Sequence, residues 1–141
     1  MPNHFHFILK EFDKGGVAKF MQRLGNGYTK YFNVRDEREG RLFTSTYKQV
    51  QIENDEQLVH VSRYIHLNPH TSSSTKVSMK ELRSYAWSSL PSHLGAERSL
   101  LCQPEEILDF FASPEDYWQF VSAGLEDSLK RFPQDIFIDS T

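Results

Sequence analysis

The chain opens on an alternating pattern. Residues 4–9 read His4-Phe5-His6-Phe7-Ile8-Leu9, so an extended segment places both histidines on one face and both phenylalanines on the other. This predicts a strand. Lys14-Gly15-Gly16 predicts a turn. Apolar positions then return at helical spacing: Val17, Phe20, Met21, Leu24, Tyr28, Tyr31 and Phe32 predict a helix over 17–34, which Gly25 and Gly27 should weaken or bend. Residues 36–40 form a charged loop. Residues 41–52 alternate again, through Leu42, Phe43, Tyr47, Val50 and Ile52, and predict a second strand.

Asn54 or Asp55 can cap the next helix, which carries Leu58, Val61 and Ile65 on its apolar face and should stop near Leu67 because Pro69 follows. The polar residues 70–78 predict a loop. A short helical turn is expected over 79–85, ahead of Trp87-Ser88-Ser89. Pro104 can open a helix running to Phe111, and Ser113-Pro114-Glu115 is a cap and first-turn signal for a helix over 114–129.

Composition narrows the class. A chain of 141 residues with 38% hydrophobic and 25% charged residues suits one ordinary globular domain and excludes a disordered one. Cys102 is the only cysteine, so an intramolecular disulfide and a Cys-only metal site are both excluded. No apolar run nears the roughly 20 residues that span a bilayer, and MPNHFHFILK lacks a basic leader. A cytoplasmic protein with no membrane partner is expected. The net charge of -3 does not suggest a nucleic-acid binder, but its distribution does: residues 1–50 balance to +4, residues 51–100 to 0 and residues 101–141 to -7. A phosphate-binding surface belongs in the first half, and the acidic tail should face elsewhere.

The candidate chemistry lies in two places. His4 and His6, side by side on an extended segment, can offer two imidazole nitrogens to one cation, or can form a half-buried strand face. His60, Tyr64 and Asn68 follow at four-residue steps on one helix face. A phenol can attack phosphorus covalently, and an amide oxygen can ligate a hard cation. Equally, Tyr64 can pack half-buried, and Asn68-Pro69 can be a helix stop. His66 and His70 lie on other faces of this helix or beyond it and read as packed or exposed histidines.

Four segments occur in order: MPNHFHFIL, GYTKYFN, RYIHLNP and YAWSS. Together they resemble the transposases of single-strand insertion sequences with a His-hydrophobic-His motif, in particular the REP-associated tyrosine transposase branch. The resemblance covers residues 1–95, and Tyr117-x-x-Phe120-Val121 is similar to the C-terminal extension of many members. It implies that His4 and His6 bind a divalent metal, Mg2+ or Mn2+, that Tyr64 is the nucleophile, and that Asn68 completes the metal site. The implied reaction is nicking and rejoining of single-stranded DNA through a 5′-phosphotyrosine, with recognition of DNA hairpins. From the charge balance, Lys19, Arg23, Lys30 and Arg41 are the candidates for backbone contacts.

The resemblance also implies an α+β, ferredoxin-like fold: an antiparallel sheet with helices on one face, over residues 1–95, followed by a helical extension with an acidic tail over 96–141. Members carry a strand, a helix and a further strand before the Met-Pro-Asn-His segment, where this chain begins. Two explanations are expected to compete: an N-terminally truncated product, or a homodimer in which a partner chain supplies the missing strand by exchange or edge pairing. The alternative function is an inactive, DNA-binding remnant of such a transposase.

Overall fold

A computed structural model describes residues 4–72 and 75–124. Six helices follow one another: α1 (Gly16–Arg35), α2 (Asp55–Thr71), α3 (Met79–Leu82), α4 (Leu90–His93), α5 (Glu105–Leu108) and α6 (Pro114–Ala123). No strand forms among the described residues, which overturns the expected α+β, ferredoxin-like sheet. Neither of the two segments with strand-like alternation, 4–9 and 41–52, forms a strand. Alternation needs only a two-faced extended backbone, whereas a strand also needs a ladder of hydrogen bonds. The second segment is further broken by bends over 42–45, after Gly40 turns through φ 90°.

The chain divides into two compact units: Phe7–Val50, and Gln51–Thr141 together with Met1–His6. In the first, Gly15 enters α1 with φ 81°, and the Glu11 carboxylate accepts a hydrogen bond from the Val17 amide at 3.2 Å. A carboxylate there satisfies one orphan N–H and complements the helix dipole. Gly25 and Gly27 do not interrupt α1, which runs unbroken for 20 residues. Asn33 ties the following loop back by donating to the Gly40 carbonyl at 2.9 Å.

In the second unit, Asn54 caps α2, accepting from the Gln57 amide at 2.8 Å as its position suggested. Pro69 does not end the helix. It lies inside the last turn, where the missing N–H removes a single backbone bond, and the chain continues to Thr71. The loop behind it stabilises this ending, because the Pro69 carbonyl accepts from Thr75 Oγ1 at 2.6 Å and from the Val77 amide at 3.2 Å. Ser78 and Glu81 form a capping box on α3. Ser113 caps α6, with Pro114 in the first turn, as the sequence indicated. The expected continuation of that helix past Gly124 lies outside the described residues.

The core gathers Leu67 of α2, Leu82 of α3, Leu90 of α4, Ile107 of α5, and Tyr117 and Val121 of α6. It therefore joins residues on both sides of position 95. Of the expected apolar face of α2, Leu58 packs against this core and Val61 and Ile65 do not. Val61 and Ile65 stay half-exposed, while Ser62, Arg63, His66, Leu67, Asn68 and Pro69 are buried.

Candidate metal and nucleophile site

Two segments of the Gln51–Thr141 unit, with its N-terminal residues, build the site. His4 and His6 lie in a segment without regular secondary structure, with ring centroids 5.1 Å apart and planes at 87°. On α2, Tyr64 and Asn68 are one helical turn apart and share a face. His6 meets both: its ring centroid is 6.1 Å from that of Tyr64, and its Nε2 lies 3.4 Å from Asn68 Nδ2. Thus His4, His6, Tyr64 and Asn68 come together around His6. His60, on the same helix face by spacing, points its chemistry elsewhere. Its Nδ1 accepts from Arg63 at 2.9 Å, and its ring meets the Phe120 ring edge-on at 5.3 Å.

Asn68 is only 5% exposed, so its amide is held in place by surrounding structure. The two ends of a carboxamide are nearly isosteric. A half-turn about its last torsion presents the carbonyl oxygen where the NH2 group stands. Two imidazoles bound to one ion, each with a nitrogen about 2 Å away, have centroids about 4.5–5.5 Å apart, and the His4–His6 pair stands at 5.1 Å. The donors therefore fit a divalent cation with water or phosphate oxygen completing its shell. The set contains no carboxylate, and among the described residues no three His, Cys, Asp or Glu side chains group to hold an ion.

A second cluster on the other side of α2 escaped the sequence reading. His66 is buried between Ser89 Oγ, 2.9 Å from Nε2, and Tyr117 Oη, 2.6 Å from Nδ1. Tyr117 Oη lies 3.1 Å from Ser62 Oγ, which donates to the Val59 carbonyl at 2.7 Å. Counting protons fixes the directions. The single Ser62 proton goes to Val59, so Tyr117 donates to Ser62. Tyr117 then accepts from Nδ1–H of His66, and Nε2 accepts from Ser89. Every member is satisfied with a neutral imidazole.

The electrostatics agree. Burial, with a smaller contribution from neighbouring His93, pushes the His66 pKa down to about 3. The His93 ring is 4.7 Å away by centroid and is also pushed down by burial, an effect opposed by its bond to the Ser89 carbonyl and by Glu105. Burial raises the Tyr117 hydroxyl. The available signals were the Ser62/His66 pair at four-residue spacing, the second serine of Trp87-Ser88-Ser89 and Tyr117. None had an apolar pattern to mark it as buried. Three of the segments that carry the family resemblance meet here.

Of the residues assigned to DNA contacts, Lys19, Arg23 and Lys30 lie on α1 and Arg41 in the loop after it, all exposed. No helix among the described residues is long and apolar enough to cross a membrane. A scan of protein-family models, a search of curated proteins and a search of solved structures found no match to this chain.

Proposed function

We propose that this chain nicks and rejoins single-stranded DNA, with Tyr64 as nucleophile and His4, His6 and Asn68 as holders of a divalent cation. The observation that carries the reading is the convergence on His6: the His4 ring, the Tyr64 ring and the Asn68 amide all adjoin it. The segments behind the family resemblance supply all of these residues.

In this reaction the Tyr64 oxygen attacks the scissile phosphorus and its proton passes to solvent. The bond from phosphorus to the 3′ oxygen breaks, leaving a 5′-phosphotyrosine and a 3′-hydroxyl that has taken up a proton. Rejoining is the reverse attack by a 3′-hydroxyl. The bound cation would supply Lewis-acid polarisation of the phosphate. Two imidazole donors favour Mn2+ over Mg2+, which prefers an all-oxygen shell. His6 adjoins both Tyr64 and Asn68, and the burial of Asn68 keeps the amide from swinging away. Acting on DNA inside the cell, as proposed, would put its work in the cytoplasm.

Tyr64→Phe tests the assignment. With a hairpin-bearing oligonucleotide and Mn2+, the variant should lose the covalent protein–DNA adduct on a denaturing gel while keeping wild-type DNA affinity. Adduct at the wild-type level in this variant refutes the role of Tyr64. The lack of any strand among the described residues favours a second reading, a DNA-binding remnant without nicking activity. Hairpin binding with no uptake of Mn2+ in a calorimetric titration selects that reading.

A further inference from the structure

The cluster behind α2 is polar in a place where apolar side chains would serve the core equally well. Ser62, His66 and Tyr117 are all buried, and Tyr117 belongs to the same core as Leu67, Leu90 and Val121. Filling such a space with apolar groups of similar shape is commonly neutral for stability or better, because no polar group then needs a partner. Stability alone therefore does not account for the chain of bonds. What the bonds add is direction. An apolar contact tolerates sliding, whereas a hydrogen bond holds its partners to a distance and an angle.

These bonds join three elements at one residue of α2. Ser89, at the start of α4, lies 2.9 Å from His66 Nε2, and Tyr117 of α6 lies 2.6 Å from Nδ1. Tyr117 reaches α2 a second time, at Ser62, 3.1 Å away and one turn before His66. A ring bonded at both nitrogens cannot turn, and it holds the helix that carries it. Tyr64 and Asn68 stand two residues to either side of His66, and so on the opposite side of that helix. On that side the cover is thin, since Val61, Tyr64 and Ile65 are all half-exposed. Helix α2 is thus gripped from behind the site.

We infer that Ser89, His66 and Tyr117 are positioning residues for the nicking site: their bonds behind α2 fix where Tyr64 and Asn68 meet His6. The inference rests on the proposed reaction for what Tyr64 and Asn68 do there. The three residues act through the backbone of α2, not through contact with the reacting atoms. A constellation of this kind has to be held within about 0.5 Å of its productive geometry, by neighbours whose own rotamers are locked. The role also gives α6 a task in the reaction, through Tyr117.

The deciding variant is His66→Leu combined with Tyr117→Phe in the full chain. Either change alone leaves a polar partner unmet: Ser89 loses its acceptor in the first, and the Nδ1 proton of His66 loses its acceptor in the second. Together they leave two apolar side chains, with Ser62 still donating to Val59. The urea midpoint of the double variant should therefore recover most of what Tyr117→Phe loses. Its rate of adduct formation with the hairpin oligonucleotide and Mn2+ should nevertheless stay down roughly tenfold or more, at unchanged affinity for the oligonucleotide. In NMR spectra taken without DNA or metal, the cross-peaks between the Tyr64 and His6 rings, whose centroids are 6.1 Å apart, should weaken or vanish. Ser89→Ala, at a half-exposed position, removes one bond and should slow the adduct several-fold.

Wild-type ring contacts between Tyr64 and His6 in the folded double variant overturn the inference, whatever the activity. An adduct rate that recovers together with the urea midpoint does so too, since a merely structural role predicts that outcome. If the double variant does not fold, Ser89→Ala decides alone, and wild-type ring contacts and rate in it are the refuting result. The two proposals fail separately. Loss of the ring contacts, with no adduct from the wild type, refutes the nicking reaction alone. Wild-type adduct formation in the folded double variant refutes the positioning role alone.

Discussion

The two units of this chain have comparable helices and opposite interiors. In the Gln51–Thr141 unit, α2 to α6 bring Leu67, Leu82, Leu90, Ile107, Tyr117 and Val121 to almost complete burial. In the Phe7–Val50 unit, a longer helix buries no residue at all. Phe20, Tyr28, Tyr31 and Val34 remain exposed, and the aromatic contacts are local, such as Phe7 against Phe20 and Tyr28 against Phe43. The apolar stripe of α1 is at least as regular in sequence as that of α2. A stripe therefore specifies a face, and burial additionally needs a second face to meet it.

Removing a core side chain should separate the units most clearly. Leu67→Ala takes away a side chain that is 1% exposed, and should cost about 2–5 kcal/mol in urea unfolding. Val34→Ala on α1, 74% exposed, should cost less than about 0.5 kcal/mol. Equal losses would show that α1 is covered in solution and would erase the contrast.

Acid sharpens it next. His66 has its folded pKa lowered from 6.5 to about 3, so between these values the unfolded chain binds the extra proton. The associated stability is complete above pH 6.5 and drains away as pH falls toward 3. The urea midpoint should fall across that window by the equivalent of a few kcal/mol. His66→Leu should be less stable at pH 7 and show a flatter pH profile. A wild-type profile that is flat from pH 7 to 4 would contradict the neutral, satisfied state of His66. The α1 unit has no buried titratable group, so its helix signal in hydrogen exchange should follow pH far less.

The smallest effect belongs to the surface. Arg83 pairs with Glu115 at 2.9 Å, linking the residue after α3 to the first turn of α6, with both side chains about half exposed. Arg83→Gln should cost under about 1 kcal/mol and less still at high salt. A larger, salt-independent loss would mean that the stacking of Arg83 on Trp118, 5.0 Å from the ring centroid, carries the contact instead.

What the sequence revealed follows from how local each signal is. Helices with side-chain caps at Asn54 and Ser113 were legible, because capping is decided within four residues. The strands at 4–9 and 41–52 were misread, because pairing depends on a neighbour that alternation does not encode. Pro69 was read as a stop because the carbonyl bonds from Thr75 and the Val77 amide cannot be seen in the helix itself. His4, His6, Tyr64 and Asn68 were singled out together through spacing and resemblance, and the structure brings these four into one neighbourhood. His66 escaped because a buried imidazole is recognised by its partners, Ser89 and Tyr117, which are distant in sequence.

The chain of bonds through His66 also sets the angular position of α2. His66 stands roughly 200° around the helix from both Tyr64 and Asn68, by the helical repeat. Ser89 and Tyr117 grip its ring at both nitrogens, so the helix cannot roll without breaking a bond. For a helix some 10–12 Å across, a roll of about 10° carries an opposite side chain roughly 1 Å. A misplacement of that size can cost on the order of a hundredfold in rate. The imidazole thus works as a detent, clocking the helix to one orientation so that a phenol on its far side returns to the same spot after every excursion.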